Sequence, residues 1–170
     1  MINGGGGCVG PFAIQIARAL GAEVTGVDHS DKLDLMRAVG ADHVVDFNRT
    51  DVTRSGRRYD LIIDIAATRS VTAFKRSLTD RGAYVQIARS LGGFLSAALL
   101  GWMLGGRRRM GIFMWVPNDS GDMARLGDLI VSGAVDPAID RIFPLAETPQ
   151  AVSYQESGAA RGKVVLAVAT

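Results

Sequence analysis

The stretch Asn3-Gly4-Gly5-Gly6-Gly7-Cys8-Val9-Gly10-Pro11 decides the fold predicted for this chain of 170 residues. Within it, Gly5, Gly7 and Gly10 match the spacing G-x-G-x-x-G. In a dinucleotide-binding loop the first glycine permits a tight turn after a strand. The second lets the backbone approach a pyrophosphate, and the third lets the next helix pack closely on the sheet. The alternative interpretation is a tight turn with a structural role only.

The residues after this loop have the pattern of an amphipathic helix. Apolar side chains recur at helical spacing at Val9, Phe12, Ala13, Ile16 and Leu20. Pro11 fits the first helical turn, where its missing N–H is not needed. A helix N-terminus offers free N–H groups and a partial positive charge to a phosphate. The residues predicted to hold a pyrophosphate are therefore Gly5, Gly6, Gly7, Cys8, Val9 and Gly10.

Strand and helix patterns alternate through residues 1–116. Six strands are predicted, at residues 1–2, 23–27, 42–47, 59–66, 83–88 and 110–115. Helices are predicted after the glycine loop, after a cap at Ser30 or Asp31, from Ser70 to residue 78, and over residues 94–104. This alternation predicts an α/β fold with a doubly wound parallel sheet of six strands. Because only two residues precede Asn3, we expect the first strand to be truncated.

The pattern changes after Pro117, so residues 1–116 and 117–170 are predicted to be separate units. The second unit has a helix at residues 119–132, a short strand at 139–143, a helix capped by Thr148, and an apolar strand at 163–168. A strand of this kind needs a neighbour along its edge and cover on its faces. The sequence does not show which part of the chain supplies them.

An acidic residue ends the second predicted strand. Asp28 lies eighteen residues beyond Gly10, close to the spacing expected of a carboxylate that binds the hydroxyls of an adenosine ribose. A carboxylate at this position favours NAD over NADP, because it repels the 2′-phosphate of NADP. Lys32, four residues further on, could instead attract that phosphate, so NADP remains open. The loops after strands four and five begin at Ala66-Ala67-Thr68 and at Ala88, and both are expected to contact the cofactor.

Composition excludes several other classes of protein. The net charge of +2 is too small to indicate nucleic-acid binding by itself. No run of about 18 apolar residues is present that could span a membrane. Cys8 is the single cysteine, which excludes an internal disulfide and favours the cytoplasm. His29 and His43 stand without further ligands at metal spacing, so no metal site is predicted. The glycines are not followed by G-K-[ST], and no G-x-S-x-G motif occurs. A methyltransferase would share the glycine loop and is the main competing class of enzyme.

Several further motifs resemble the medium-chain dehydrogenase/reductase superfamily, in its quinone-oxidoreductase-like or zinc-binding dehydrogenase branch. The resemblance covers nearly the whole chain. Beyond the glycine loop it rests on residues 17–22 (ARALGA), 35–46 (LMRAVGADHVVD), 59–64 (YDLIID), 139–145 (IDRIFPL) and 160–165 (ARGKVV).

The resemblance implies a Rossmann domain followed by a segment that would complete an absent N-terminal GroES-like catalytic domain. It implies NAD or NADP as the cofactor and hydride transfer to or from a carbonyl, enone or quinone. The resemblance assigns no catalytic residue to this chain, because the groups that polarise the substrate belong mostly to the absent domain. The chain alone is therefore expected to be inactive. The resemblance also implies a homodimer formed through strand six. Phe47 stands at a position where the family often has a tyrosine that binds the cofactor. Ala67 stands at a position where the family usually has a glycine. The further contacts that it implies are Ala66, Ile87 and Ala88.

An alternative from a different class is a non-catalytic NAD(P)-binding sensor or scaffold with the same fold. The sequence does not decide between this alternative and an enzyme.

Overall fold

Six parallel strands form the main sheet of the protein. In this computed structural model the described residues are 1–67, 69–87, 109–113 and 120–168. The strands are β1 (Ile2–Asn3), β2 (Thr25–Asp28), β3 (His43–Asp46), β4 (Tyr59–Asp64), β5 (Leu78–Ile87) and β6 (Arg109–Phe113). Their order across the sheet is β3-β2-β1-β4-β5-β6, and all neighbours pair in parallel. The predicted α/β fold with a doubly wound, six-stranded sheet is confirmed.

Helices connect these strands as predicted, but the apolar face predicted for the first one is wrong in part, because Val9 and Leu20 are exposed and Ile14 is buried instead. The helices are α1 (Gly10–Ala19), α2 (Leu33–Ala38) and α3 (Val71–Lys75), with 3₁₀ turns at Ser30–Lys32 and Val52–Arg54. Pro11 occupies the first turn of α1. Gly21 follows this helix with φ +79°, the left-handed conformation that ends many helices. The glycine loop therefore leads directly from β1 into α1.

Two apolar layers cover the two faces of the sheet. One contains Met1, Val27, Val52, Ile62, Val71, Phe74, Leu78 and Tyr84. The other contains Ile2, Ile14, Val24 and Met36. Because successive side chains of a strand point to opposite faces, the adjacent residues Met1 and Ile2 enter different layers. Burial on both faces explains why the strands are nearly continuous apolar runs.

At two predicted helix caps, before α2 and at Ser70, the capping hydrogen bond is absent, although Ser70 does occupy the N-cap position of α3. Neither Ser30 nor Asp31 caps a helix, because His29 precedes the 3₁₀ turn and its Nδ1 contacts the Asp31 carboxylate. Ser70 precedes α3, but its Oγ lies 3.0 Å from Thr72 Oγ1 and makes no capping bond to the backbone. Asp31 and Ser70 each contact a neighbouring side chain, so neither accepts a backbone N–H of its helix.

The end of α3 also differs from the prediction. The helix ends at Lys75 rather than at residue 78, and β5 begins at Leu78 rather than at residue 83. The reason is the pairing with β4, since Tyr59 N–H donates to the Ser77 carbonyl at 2.7 Å. This bond fixes the chain in an extended conformation earlier than the local pattern indicates.

The remaining described residues form a second, smaller unit. Its elements are α4 (Ser120–Val131), β7 (Ile139–Pro144), α5 (Thr148–Glu156) and β8 (Lys163–Ala167). Strands β7 and β8 pair in parallel as a two-stranded sheet, so the chain itself supplies the neighbour that the sequence did not reveal. Thr148 does not cap α5 as predicted. Its Oγ1 donates to the Leu145 carbonyl at 2.6 Å instead.

Polar contacts fix this second unit beside the glycine loop. The Gln15 side chain donates to the Asp136 carbonyl at 2.9 Å and accepts from the Asp136 N–H at 2.8 Å. The ammonium of Lys163 lies 5.3 Å from the centre of the Phe12 ring. Both contacts involve α1, so the C-terminal unit lies along the helix that begins at the loop.

Several predictions concern residues outside the described ranges. These are the helix at residues 94–104, the cofactor contact at Ala88, and the last residues of strand six. In the ranges that the structure does describe, every helix is too short or too polar to cross a membrane.

The buried amino terminus predicts that stability depends on pH. Met1 is 7% exposed, and its ammonium donates to the Leu61 carbonyl at 2.8 Å. Burial lowers the pKa of this amine from 8.0 to about 6, although the charge of Asp60 opposes the shift. Between pH 8 and pH 6 the unfolded chain therefore binds a proton that the folded chain does not. We expect about 2–3 kcal/mol of unfolding free energy to be lost as the pH falls through this window.

Urea unfolding of the chain that begins at Met1, measured at pH 6 and at pH 8, tests this expectation. The control is the same chain with an acetylated amino terminus, which keeps both histidines and lacks only the titrating amine. An equal pH dependence in the two chains would show that the amine does not contribute.

Candidate functional site

The carboxyl ends of the central strands form the candidate site. The loop after β1 leads into α1, whereas β4 lies on the other side of β1 in the sheet. This is the point where the strand order changes direction. Ligands of open α/β sheets bind in the crevice that such a reversal leaves outside the carboxyl ends of the strands. The glycine loop lies at this point.

The turn out of β1 depends on Gly4. The N–H groups of Gly4 and Gly5 both donate to the Val27 carbonyl, at 2.8 and 3.2 Å. Gly4 has φ +86°, which L side chains rarely adopt. The sequence pattern assigned the tight turn to Gly5. The structure corrects this assignment, because the left-handed residue is the one before it.

The other glycines of the loop differ in the space around them. A Cβ on Gly10 would lie 2.3 Å from the Gly5 carbonyl oxygen, so the start of α1 packs directly on the turn. A Cβ on Gly5 would meet Met36 Sδ at 2.6 Å, and one on Gly6 would meet Lys32 Cβ at 2.5 Å. A Cβ on Gly7 would meet nothing closer than 3.7 Å. Gly7 is therefore the position where a ligand can approach the backbone.

The N-terminus of α1 faces this open position without a capping side chain. Val9 is the cap residue, makes no side-chain hydrogen bond, and lies at the exposed surface beside half-buried Cys8. No acidic residue occupies the first turn. The free N–H groups and the helix dipole therefore favour an anion at the loop.

Asp28 lies directly beside the glycine loop. Its side chain is largely buried, and Oδ2 accepts the Gly6 N–H at 2.8 Å. Oδ1 accepts the N–H of His29 at 2.8 Å. Two backbone donors thus fix the carboxylate at the end of β2, and each oxygen keeps a lone pair for a hydroxyl. The carboxylate can therefore accept further hydrogen bonds at the edge of the glycine loop.

Lys32 faces the same loop from the other side of Gly6. It is 9% exposed, and its Nζ donates to the Gly158 carbonyl of the C-terminal unit at 2.8 Å. Within the described residues this neutral carbonyl is its only hydrogen-bond acceptor. A buried ammonium without a carboxylate partner favours a nearby anion. Sequence reasoning placed Lys32 near the ribose, but its contact with Gly158 could not be predicted.

Phe47 lies at the end of β3, across from His29. The two rings are 6.0 Å apart and tilted by 57°. Phe47 is 44% exposed and borders a pocket of about 240 Å³. The other residues that line the pocket are Asn3, Val27, Thr50, Val52, Arg69 and Phe74. The lining of this pocket is mixed, since the polar side chains of Asn3, Thr50 and Arg69 stand among apolar ones.

A buried carboxylate connects the loops on the other side of β1. Asp64 is fully buried at the end of β4 and accepts from Asn3 Nδ2 at 2.7 Å, Ala67 N–H at 2.9 Å and Tyr84 OH at 2.8 Å. Burial, together with the charge of Asp64, raises the pKa of Tyr84. Sequence reasoning missed this residue, although a carboxylate in a strand that is apolar on both faces was a signal.

Ala67 follows in a strained conformation. Its φ of +50° is the one positive value among the described residues other than glycine. This agrees with the resemblance, which places a glycine at this position. Ala66 lies beside the turn, with its N–H donating to the Asn3 carbonyl at 3.3 Å. Ile87 is half-buried at the end of β5. The structure therefore brings Ala66 and Ala67 to the glycine loop from β4.

Two other features lie apart from this site. A cavity of about 570 Å³ opens at the amino ends of the strands, at the opposite edge of the sheet from the glycine loop. Across the described ranges, no group of three or more His, Cys, Asp or Glu residues is placed to hold a metal ion. The carboxyl edge is thus the one that combines the open glycine, the helix N-terminus and the fixed carboxylate.

Known proteins show the same sequence pattern and fold. The sequence model of the family described as "Zinc-binding dehydrogenase" matches residues 39–166. A trans-enoyl reductase of Aspergillus terreus is 32% identical over 181 residues, covering 98% of this chain and 51% of that protein. A mitochondrial NAD(P)H oxidoreductase of Mus musculus is 31% identical over 194 residues, covering 99% of this chain and 47% of that protein.

A solved quinone oxidoreductase from Coxiella burnetii superposes with a TM-score of 0.83 at 24% identity. The match covers 99% of this chain and 52% of that one. The chain spans about half the length of the curated relatives it matches. Since the family's sequence pattern extends over most of the chain and the fold agrees with it, the chain belongs to the zinc-binding dehydrogenase family of the medium-chain dehydrogenase/reductase superfamily.

Proposed function

We propose that this chain is the dinucleotide-binding portion of an NAD(P)-dependent oxidoreductase. One observation carries the proposal, namely the open backbone at Gly7 beside the uncapped N-terminus of α1. A pyrophosphate needs both close backbone approach and free N–H donors, and the loop offers both. Asp28 supplies the carboxylate for a ribose at the adjacent position.

The other residues of the site have distinct roles in this proposal. Gly5, Gly6 and Gly10 shape the turn, while Gly7, Cys8 and Val9 border the pyrophosphate. Phe47 lines the pocket for the adenine. We assign Ala66 and Ala67, which follow β4, and Ile87 at the end of β5 to the nicotinamide side, together with Ala88, which lies outside the described residues.

The cofactor supplies a hydride when it is bound, and the protein orients it. Relatives named as an enoyl reductase, a quinone oxidoreductase and an NAD(P)H oxidoreductase support a carbonyl, enone or quinone as the substrate class. We assign no catalytic residue, and we expect the groups that polarise the substrate to lie in a GroES-like domain that residues 117–170 would complete. The donors for the zinc of the family's name are not found among the described residues. This chain alone is therefore expected to bind cofactor without turnover.

Titration with NAD and with NADP tests the role of Asp28. We expect the wild-type chain to prefer NAD, because the carboxylate accepts ribose hydroxyls and repels a 2′-phosphate. In Asp28→Asn the affinity for NAD should fall about 10- to 100-fold, the loss expected for a charge-assisted hydrogen bond. The affinity for NADP should fall less or rise, which removes the preference.

The matched control is Asp34→Asn, which removes an exposed carboxylate six residues away. It should leave both affinities within about twofold of the wild type, because surface charges are well screened. Equal NAD binding by Asp28→Asn and wild type would show that the ribose assignment is wrong. No binding of either nucleotide to the wild type would contradict the proposed function itself.

We also propose a homodimer through β6, the edge strand of the main sheet. Within the described residues β6 pairs on one side only, with β5, and we propose that its other side pairs with a second copy. Light scattering should give the mass of a dimer, and the mass of a monomer would count against this proposal.

The single cysteine supports a reducing, cytoplasmic location, which we keep as part of the proposal.

A further inference from the structure

The side chain of Lys32 joins the glycine loop to the C-terminal unit. Its stem lies against Gly6, since a Cβ added to that glycine would meet Lys32 Cβ at 2.5 Å and Cδ at 3.1 Å. The ammonium extends beyond the loop and donates to the Gly158 carbonyl at 2.8 Å. Because Lys32 is 9% exposed, its side chain is enclosed between the loop and the C-terminal unit.

Asp28 and Lys32 both flank Gly6, but they do not pair with each other. The Asp28 carboxylate accepts the N–H groups of Gly6 and His29 at 2.8 Å each, and it forms no ion pair with any described residue. A lysine stem is long and flexible enough for its ammonium to reach a carboxylate four residues away in the chain. The contact with Gly158 therefore determines where the positive charge of Lys32 lies.

The Gly158 carbonyl has a position that is fixed by its own unit. Gly158 follows α5 with φ +75°, and its N–H donates to the Gln155 carbonyl at 3.3 Å. Further along the loop, the Arg161 N–H donates to the Asp140 carboxylate of β7 at 3.0 Å, and Ala160 is buried. The acceptor of the ammonium is thus presented by a loop that is anchored on both sides.

A second interaction places the same loop beside the residues that follow β2. The pKa of the Asp31 carboxyl lies below its ordinary value, mainly because of its hydrogen bond with His29, and the positive charge of Arg161 contributes to this shift. Arg161 is three residues beyond Gly158. The loop of residues 157–162 therefore lies along the segment after Asp28, next to the proposed position of the ribose.

We propose that Gly158 is a positioning residue for nucleotide preference, because its carbonyl holds the Lys32 ammonium away from Asp28 and so maintains a preference for NAD over NADP. The 2′-phosphate of NADP would lie where Asp28 is proposed to bind the ribose. An ammonium released to that point would offset the repulsion between the carboxylate and the phosphate. This inference rests on the proposed function and adds that the C-terminal unit contributes to the choice of cofactor.

Gly158→Val tests the role of this carbonyl. A β-branched residue does not adopt φ +75° without strain, so the peptide must turn and the ammonium loses its acceptor. A Cβ at this position meets nothing within 4 Å, so the change acts through the backbone and not through a clash. Titration should show the ratio of NADP to NAD affinity rising about tenfold or more, the size of one charge-assisted contact. The rise should be absent when the same change is made in a Lys32→Met chain.

Matched variants separate this effect from a general one. Gly158→Asn should keep the wild-type ratio, because asparagine tolerates the left-handed conformation and leaves the carbonyl in place. Gly133→Val introduces the same strain after α4, at φ +74°, also in open space, and should not change the ratio. Gly158→Ala is less strained than the valine variant and should raise the ratio by a smaller factor. It decides the point if Gly158→Val does not fold.

An unchanged ratio in both Gly158→Val and Gly158→Ala would overturn the proposal. A rise of equal size in the Lys32→Met chain, or in Gly133→Val, would overturn it as well, because the ammonium or the loop would then not be responsible. The same holds if the wild-type chain prefers NADP. Failure of the proposed function has a different signature, since the wild-type chain would then bind neither nucleotide.

Discussion

Gly10→Ala is expected to destabilise the protein by about 3 kcal/mol or more and to weaken nucleotide binding at least about 100-fold. The added Cβ would lie 2.3 Å from the Gly5 carbonyl oxygen, 2.4 Å from its carbon and 2.5 Å from the Gly4 carbonyl oxygen. All three atoms belong to the backbone of the turn, so no side-chain rotation can relieve the contact. The start of α1 must move away from β1, which separates the helix N-terminus from the open position at Gly7. Urea unfolding and nucleotide titration measure the two effects.

Two other glycines provide matched controls for this change. In Gly7→Ala the new Cβ meets no protein atom closer than 3.7 Å, so the unfolding free energy should stay within about 0.5 kcal/mol of the wild type. Its nucleotide affinity should still fall, because the methyl group occupies the space proposed for the pyrophosphate. Gly127→Ala lies within α4 in open space and should stabilise the protein by about 0.5–1 kcal/mol. A Gly10→Ala variant as stable as the wild type would contradict the packing described for the turn.

The main features of the fold could be predicted because they depend on local patterns. Strand β4 is an apolar run bounded by polar residues, and helical spacing predicted the helix after the loop, although not its buried face, since Ile14 rather than Val9 or Leu20 is buried. Glycine spacing likewise predicted the close packing at Gly10, because that contact joins residues five apart in the chain. Such features need only short-range information and a fixed set of backbone geometries.

Other features of the site depend on partners that are distant in sequence. Lys32 and Gly158 are 126 residues apart, and no local pattern indicates that the ammonium contacts that carbonyl. The pairing of β7 with β8 could not be predicted either, since the sequence of neither strand indicates its partner. The predicted caps at Asp31 and Ser70 failed for a related reason, because these side chains contact His29 and Thr72 instead of backbone N–H groups. Local sequence therefore predicts the elements better than it predicts the polar contacts between them.

Asp64→Ala is expected to destabilise the protein by about 3 kcal/mol or more, because it leaves two buried donors and one partly buried donor without an acceptor. These donors are the side chains of Asn3 and Tyr84 and the N–H of Ala67. Asn3 precedes the glycine loop, and Ala67 holds the strained turn after β4. The carboxylate thus fixes the two loops relative to each other, although it is too deeply buried to contact a ligand itself. We therefore expect nucleotide affinity to fall about tenfold or more in the variant that remains folded.

Asp64→Asn separates this positioning role from charge. The amide oxygen can still accept from Asn3 and Ala67, and the amide NH₂ can donate to the Tyr84 hydroxyl, which can also act as an acceptor. The cost should therefore be about 1 kcal/mol, and nucleotide affinity should largely recover. Asp60→Ala on the same strand removes an exposed carboxylate and should change the unfolding free energy by less than about 0.5 kcal/mol. If Asp64→Asn is as damaging as Asp64→Ala, the negative charge rather than the hydrogen-bond geometry holds the loops. If neither variant changes the unfolding free energy, the carboxylate does not connect them at all.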